Sequence, residues 1–434
     1  MKKVCVVGLG YIGLPTAVMF ANHEYMVHGV DVDAKTIKLL SSGQIHIEEP
    51  FLQEYLNSAL EKGTFTVSNK PETADMFIIA VPSPIAEDKT ANMDYIKAAT
   101  KSIVPFVKKG DLVVLESTVP PRTVLDVMMP ILEETDLELG TELLISHSPE
   151  RVIPGKVFEE LVKNNRIIGG LTEESAERTV SFYESFVKGE FYLTDVTTAE
   201  MVKVMENTYR DVNIAFANEI AKISESLGVD AWEAISLANQ HPRVNIHTPG
   251  PGVGGHCIAV DPWFLVEKET ELSRIIQMSR FTNDSMPSFT ADKIEEMVHD
   301  IPNAKIAVFG LAFKGNIDDI RESPSMDVLA GLRAKSLTYS AFDPHVKENK
   351  VPFQTQSMEE ALKDADVVVV LTDHNMFKKL DPKLVGRAMR HRIVFDTKNA
   401  IDRVGYEAAG FQVFRLGDGK RNPKKILKNE FTSN

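Results

Sequence analysis

The sequence predicts an α/β protein in which two parallel, doubly wound sheets are joined by a domain built on one long helix. Three observations carry that prediction. Short β-branched runs alternate with helical patterns in the first half of the chain. A stretch of helical periodicity without Gly or Pro follows near the middle, and strand–helix alternation restarts near residue 305.

The elements follow in order. Lys3–Val7 is a predicted strand, Gly8-Leu9-Gly10-Tyr11-Ile12-Gly13 turns the chain, and Leu14–Asn22 carries a helical pattern. A second run, Met26–Val30, ends at Asp31, and further strands are predicted at Met76–Val81, Leu112–Glu116 and Glu142–Ser146. From Ala199 to Leu227 apolar residues recur at helical spacing (Val202, Met205, Tyr209, Ile214, Phe216, Ile220, Ile223), and Gly228 stops the pattern. Such a length exceeds the usual globular helix and suits a linker that dimerises. Thr248-Pro249-Gly250-Pro251-Gly252-Val253-Gly254-Gly255 then breaks regular structure. A second α/β unit is predicted from strands at Lys305–Phe309, Thr338–Phe342, Val367–Leu371 and Ile393–Phe395. These readings divide the chain at 1–196, 197–295 and 296–434. The basic cluster Lys420, Arg421, Lys424, Lys425 and Lys428 reads as a solvated terminus.

Composition excludes several functions. The 434 residues carry 48 Lys+Arg and 62 Asp+Glu, a formal net charge of −14, which argues against a general nucleic-acid binder. Hydrophobic residues at 43 % and charged residues at 25 % are ordinary globular usage, enough for several cores. No apolar run of about 18 residues exists, so no transmembrane helix is expected. The first apolar stretch breaks at once into glycines and reads as a strand, not a signal peptide. The two cysteines are Cys5, inside the first strand, and Cys257, so neither a structural disulfide nor a zinc site of several thiolates is expected, and the compartment reads as cytoplasmic.

Gly8-x-Gly10-x-x-Gly13 follows a strand, opens a helix and has Asp31 at the end of the next strand, the full context of a Rossmann-like dinucleotide site. Gly8 permits the turn, Gly10 lets the backbone approach a pyrophosphate, and Gly13 lets helix and strand pack closely. Asp31 would accept hydrogen bonds from the adenosine ribose and so favour NAD over NADP, a preference that nearby Lys35 tempers. Gly310-Leu311-Ala312-Phe313-Lys314-Gly315, with Arg321 beyond, is either a phosphate-ligand loop or an ordinary turn. Cys257 lies between His256 and Asp261 directly after the glycine-rich loop. Such a thiol suits a nucleophile that adds to an aldehyde, although the residues alone also allow a small buried hydrophobe. Lys203, Asn207 and Arg210 share one helical face, which a solvated stripe would also explain. Glu116-Ser117-Thr118 and Ser148-Pro149-Glu150-Arg151 end strands at the carboxyl edge, where doubly wound folds bind ligands.

Taken together these motifs resemble the UDP-sugar 6-dehydrogenases of the UDP-glucose/GDP-mannose dehydrogenase family, over nearly the whole chain. The resemblance implies an NAD-dependent, two-step oxidation of a sugar C6 alcohol to a carboxylate, by a homodimer joined through the central helix. It implies Cys257 as the nucleophile that carries a thiohemiacetal and then a thioester. Lys203 and Asn207 would stabilise the oxyanion, Asp261 would orient Lys203 or a water, and Thr118 and Glu150 would position the reacting water. Tyr11, Ile12, Asp31, Ser83 and Thr118 would contact NAD, with Arg321 reaching it from the second α/β domain. Arg151, Val152, Lys203, Asn207, Arg210, His241, Arg243, Gly254, Phe313, Lys314 and Lys398 would surround the UDP-sugar. Where the UDP-glucose branch carries a second glutamate, this chain has Pro154. Arg151-Val152-Ile153-Pro154-Gly155 and Gly254-Gly255-His256-Cys257-Ile258-Ala259-Val260-Asp261-Pro262 are similar instead to the branch acting on UDP-N-acetyl-D-mannosamine, with UDP-N-acetylglucosamine enzymes close by. Rival expectations are a single-step 3-hydroxy acid dehydrogenase and a non-catalytic UDP-sugar-binding protein.

Overall fold

The computed structural model describes residues 1–347 and 349–419, so the basic cluster from Lys420 to Lys428 lies outside the described residues. Two compact units form: Met1–Glu206 with Trp263–Thr270, and Asn207–Pro262 with Glu271 onward.

In the first unit eight strands form one sheet: β1 (Lys3–Val7), β2 (Met26–Val30), β3 (Phe65–Ser68), β4 (Met76–Ile79), β5 (Leu112–Leu115), β6 (Leu144–His147), β7 (Arg166–Gly170) and β8 (Phe191–Asp195). Their spatial order is β3-β2-β1-β4-β5-β6-β7-β8. Pairing is parallel except between β6 and β7, where Ser146 faces Gly170 and His147 faces Gly169. The central strands read as continuous apolar runs because both faces are covered. Val4 and Val6 of β1 enter one core with Met76 and Ile78 of β4. Cys5 and Val7 enter the opposite core with Phe77 and Ile79. Burial pushes the Cys5 thiol up to about 12, so that cysteine is an inert core residue.

The second unit repeats the logic with five parallel strands, β9 (Lys305–Phe309), β10 (Thr338–Phe342), β11 (Val367–Val370), β12 (Ile393–Asp396) and β13 (Gln412–Arg415), in the order β10-β9-β11-β12-β13. Ile306 and Val308 face one core, and Ala307 and Phe309 the other. The α/β class with two Rossmann-like sheets and a helical centre is thus observed.

The long helix runs Val196–Leu227, three residues earlier than its periodicity announces. Asp195 caps it, accepting from the Thr198 N–H at 2.9 Å and the Thr198 hydroxyl at 2.6 Å. The division between the two compact units falls inside this helix, after Glu206. Four strands escape the sequence reading: β3, β7, β8 and β13. In β7 the signal is hidden by Gly169 and Gly170, which look like breakers. A Cβ on Gly169 would sit 2.5 Å from the Asp195 carbonyl oxygen, and one on Gly170 would sit 2.2 Å from that of Thr172, so close packing excludes larger residues. The strand expected from Glu142 begins only at Leu144, because the Glu142 N–H closes a turn onto Glu138 O at 2.8 Å.

Candidate active site

The glycine turn after β1 is shaped by contacts that only glycine survives, with one exception. Gly8 has φ +93°, and a Cβ there would lie 2.6 Å from the Ala80 carbonyl oxygen. A Cβ on Gly13 would lie 1.9 Å from the Gly8 carbonyl oxygen, which forces glycine where helix α1 (Gly13–Asn22) meets the turn. A Cβ on Gly10 would meet nothing within 4 Å. The protein leaves that side open, which is the space a pyrophosphate needs if it is to touch the backbone. No side chain caps α1, and Ile12 occupies its N-cap position with Tyr11 exposed beside it. Asp31 leaves the end of β2 and accepts from the Leu9 N–H at 3.0 Å and the Asp33 N–H at 2.9 Å, which orients its carboxylate over the turn. Half-exposed, it keeps acceptor capacity for ribose hydroxyls. Lys35 is exposed in the first turn of the next helix, Ala34–Ser41. Ser83 and Thr118 are brought together, the Ser83 hydroxyl donating to the Thr118 carbonyl. These features fit NAD.

At the carboxyl edge of the same sheet, Glu150 is buried and both its oxygens are engaged. Oε1 accepts from the Arg151 N–H at 2.7 Å, and Oε2 pairs with Arg166. Arg166 also donates to Ser148 Oγ at 3.0 Å and Glu116 Oε1 at 3.3 Å. Burial pushes the Glu116 carboxyl up to about 7, with Arg166 opposing that rise. Arg166 is a residue the sequence reading missed, since its partners follow other strands. Arg151 forms a two-pronged pair with Glu206 of the long helix, at 2.6 and 3.1 Å. Val152 packs on the first core. Glu49, also missed, accepts from the Gly155 N–H at 2.7 Å and the Val157 N–H at 2.9 Å and so fixes the loop that carries Arg151 and Val152.

Along the long helix Lys203 is half-buried, Asn207 buried and Arg210 exposed, so the three are not one uniform solvated stripe. Lys203 belongs to the first unit and Asn207 to the second. Asp261 Oδ2 accepts from Asn207 Nδ2 at 2.6 Å, and both residues are buried. Cys257 is exposed, and its carbonyl closes a turn by accepting the Asp261 N–H at 2.8 Å. The buried-hydrophobe alternative for this cysteine is therefore set aside. Burial first, and Arg321 second, hold His256 below its ordinary value.

The glycine loop before Cys257 is anchored within the second unit. His247 N–H donates to Asn213 Oδ1 at 3.0 Å and Gly250 N–H to Asn218 Oδ1 at 2.9 Å. A Cβ on Gly254 would be 2.4 Å from the Glu322 carbonyl oxygen and 2.8 Å from Phe313 Cβ, so Gly254 is glycine for packing against the Phe313 loop. Lys314 is exposed on that loop. Lys398 lies beside Gly250, and burial pushes its ammonium down against the pull of Asp373 and Asp396. Arg321 pairs with Asp319 at 2.7 Å. His241 and Arg243 are exposed in the turn after helix Ala231–Ala238.

Among the described residues no helix is long and apolar enough to cross a membrane. The UDP-glucose/GDP-mannose dehydrogenase family matches the chain in three stretches: its NAD binding domain over residues 2–187, its central domain over 197–285 and its UDP binding domain over 307–403. The UDP-N-acetyl-D-mannosamine dehydrogenase of Methanococcus maripaludis is 46 % identical over 428 residues, covering 96 % of this chain and 98 % of the relative. The NDP-N-acetyl-D-galactosaminuronic acid dehydrogenase of Ralstonia solanacearum is 44 % identical over 408 residues, covering 92 % and 96 %. Among solved structures, the UDP-D-ManNAc dehydrogenase of Pyrococcus horikoshii superposes with a TM-score of 0.90 at 41 % identity, covering 96 % of this chain and all of the other. The chain belongs to the UDP-glucose/GDP-mannose dehydrogenase family, oxidoreductases with an NAD-binding and a UDP-binding domain.

Proposed function

We propose that the protein is a UDP-N-acetyl-D-mannosamine 6-dehydrogenase that oxidises the sugar C6 alcohol to the carboxylate. The carrying observation is the exposed Cys257 thiol at the end of a glycine loop, one turn before the buried Asp261–Asn207 pair. Similarity over nearly the full length to a UDP-N-acetyl-D-mannosamine dehydrogenase supports the substrate. Atoms balance as R–CH2OH with two NAD+ and one water giving R–COO−, two NADH and three protons. The glycine turn and Asp31, with Ser83, Thr118 and Arg321, would hold NAD+, which would supply the hydride acceptor for both oxidations.

The side chains have separable tasks. After the alcohol has become an aldehyde, Cys257 Sγ bonds to C6 and the carbonyl oxygen becomes a thiohemiacetal oxygen. The Lys203 ammonium and the second N–H of the Asn207 amide stabilise negative charge there; Asp261 occupies the first. Loss of the second hydride gives a thioester. Water, positioned by Thr118 and Glu150, attacks its carbonyl carbon, the C–S bond breaks, and Cys257 leaves as thiolate. Arg151, Val152, Arg210, His241, Arg243, Gly254, Phe313, Lys314 and Lys398 make up the proposed UDP-sugar contacts, with a three-part organisation at 1–196, 197–295 and 296–434.

We also infer a homodimer. Met201, Met205, Tyr209, Phe216, Ile223 and Leu227 are 40–72 % exposed. At about 100° per residue they fall within one face of the long helix roughly 80° wide, and a second copy would cover it. Tyr209→Glu is expected to shift the mass in sedimentation from dimer to monomer. The cytoplasm is the proposed compartment, since the thiols of Cys5 and Cys257 are not joined in a disulfide.

The decisive measurement is NADH yield per sugar across UDP-N-acetylmannosamine, UDP-N-acetylglucosamine, UDP-N-acetylgalactosamine and UDP-glucose. Two NADH per UDP-N-acetylmannosamine, with the highest kcat/KM, is the expected result. One would mark a single-step dehydrogenase and none a binding protein. Higher kcat/KM for the galacto or gluco sugar would move the substrate and leave the mechanism standing. Cys257→Ser should block turnover while leaving NAD binding intact.

A further inference from the structure

β7 is the strand that reverses direction beside β6, and reversal has a chemical consequence. The parallel strands β5 and β6 are followed at the carboxyl edge by Glu116 and Ser148, whereas β7 begins there with Arg166. The guanidinium thereby reaches three groups at one edge: Glu150 Oε2, Ser148 Oγ at 3.0 Å and Glu116 Oε1 at 3.3 Å. From below, the Tyr183 ring lies 4.2 Å from the guanidinium, and the Tyr183 hydroxyl donates to Glu116 Oε1 at 2.5 Å. Arg166 is 5 % exposed, Glu116 2 % and Tyr183 0 %, so the fork has one available orientation.

We propose that Arg166 is a positioning residue for thioester hydrolysis, fixing the Glu150 carboxylate in the orientation that holds the attacking water. The proposal rests on the role given to Glu150 above. A flat fork held on one side by Glu116, Ser148 and Tyr183 leaves its other nitrogen for Glu150 alone, and the Arg151 N–H fixes the remaining oxygen. One guanidinium faces two carboxylates, and burial raises Glu116 to about 7 against the pull of Arg166.

The test compares three variants of the full chain, Glu150→Gln, Arg166→Lys and the double variant Arg166→Met/Glu116→Gln. The double variant removes the cation and one acid together, so folding does not depend on two unpaired buried carboxylates. Each is mixed with UDP-N-acetylmannosamine and excess NAD+, quenched in acid and weighed intact, with steady-state kinetics alongside. Arg166→Lys and the double variant are expected to lower kcat about 100-fold, as loss of alignment does. They should also leave the KM for NAD within about twofold and accumulate enzyme acylated at Cys257. If Glu150→Gln accumulates the acyl-enzyme and neither Arg166 variant does, the positioning role is overturned and the function of Glu150 stands. If Glu150→Gln itself accumulates none, the water-positioning role of Glu150 falls, and this proposal with it. A lower kcat in the Arg166 variants without acyl-enzyme also overturns it, because a merely structural loss slows every step.

Discussion

The two α/β units start with the same device and use it oppositely. In each, a strand is followed by a glycine whose N–H reaches back to the neighbouring strand: Gly8 to Val30 O at 2.8 Å, Gly310 to Phe342 O at 2.9 Å. In each, that neighbour is followed by an aspartate whose carboxylate accepts from N–H groups of the turn. Asp31 takes one such bond, from Leu9, and one from Asp33, and remains half-exposed. Asp343 takes four, from Leu311, Ala312, His345 and Val346, and is buried against His374 at 2.9 Å. His374 accepts the Asn316 N–H on its other nitrogen at 2.8 Å, so its proton lies toward Asp343. The first crease keeps acceptor capacity for a ligand. The second spends it on clasping the loop that bears Phe313 and Lys314. One sheet geometry thus yields an open crease in one unit and a clasped loop in the other.

The comparison breaks most visibly at glycines that the fold itself demands. Gly13→Ala places a methyl 1.9 Å from the Gly8 carbonyl oxygen, and the turn must open. A stability loss of about 3 kcal/mol, the upper part of the overpacking range, is expected in urea denaturation. A loss under about 0.5 kcal/mol would mean the crease is loose and its shape is not set by packing.

His374→Ala tests the clasp. It removes the hydrogen bond to a buried carboxylate and frees the Asn316 N–H, for an expected cost of about 2 kcal/mol. Burial pushes the Asp343 carboxyl up, but the His374 and backbone hydrogen bonds outweigh it and hold it at about 2, below its ordinary 3.8. A carboxyl lowered in this way contributes stability that is complete above roughly pH 4 and lost as pH falls toward 2. In the variant that acid limb should shrink, while the KM for the UDP-sugar rises and the KM for NAD stays put. A rise in the NAD value alone would reverse the assignment of the two creases.

How far the sequence shows this follows from how local each device is. β1, α1 and β2 are legible because three glycines and Asp31 lie within one strand–turn–helix–strand unit. The clasp is not, since His374 closes onto Asp343 from 31 residues away and nothing about an isolated His marks it. Arg166 hides for a related reason: its role comes from strand reversal, and β7 itself is masked by two glycines. Glu49 reaches Gly155 and Val157 from over 100 residues away. Cys257 and Asp261 were legible as a pair, whereas the Asn207 amide that holds Asp261 needed the helix and loop brought together.

Asp31→Asn sharpens the comparison on the ligand side. The amide keeps the size of the side chain but loses charge-assisted acceptance from ribose hydroxyls, so the KM for NAD is expected to rise about tenfold. The NADP-to-NAD preference should move toward NADP as repulsion of a 2′-phosphate falls. Equal use of both cofactors by the wild type would shift the determinant to Lys35.

The smallest change in stability is expected at Gly10. Its backbone is not left-handed, and a Cβ there meets no protein atom within 4 Å, so alanine costs the fold no more than about 0.5 kcal/mol. The glycines of the second loop offer no such opening. A Cβ on Gly310 would lie 2.4 Å from Thr372 Cβ, and one on Gly315 would lie 2.7 Å from the Asp373 carbonyl oxygen. Packing within the protein does not require glycine at position 10, which suits the proposed approach of a pyrophosphate there. A methyl placed where a pyrophosphate approaches the backbone should weaken NAD binding at least about tenfold in calorimetry, the scale of a lost charge-assisted hydrogen bond. Urea denaturation of Gly10→Ala should meanwhile overlay the wild type. Unchanged NAD affinity would show that the opening is incidental, and that the first crease holds its ligand no more closely than the second could.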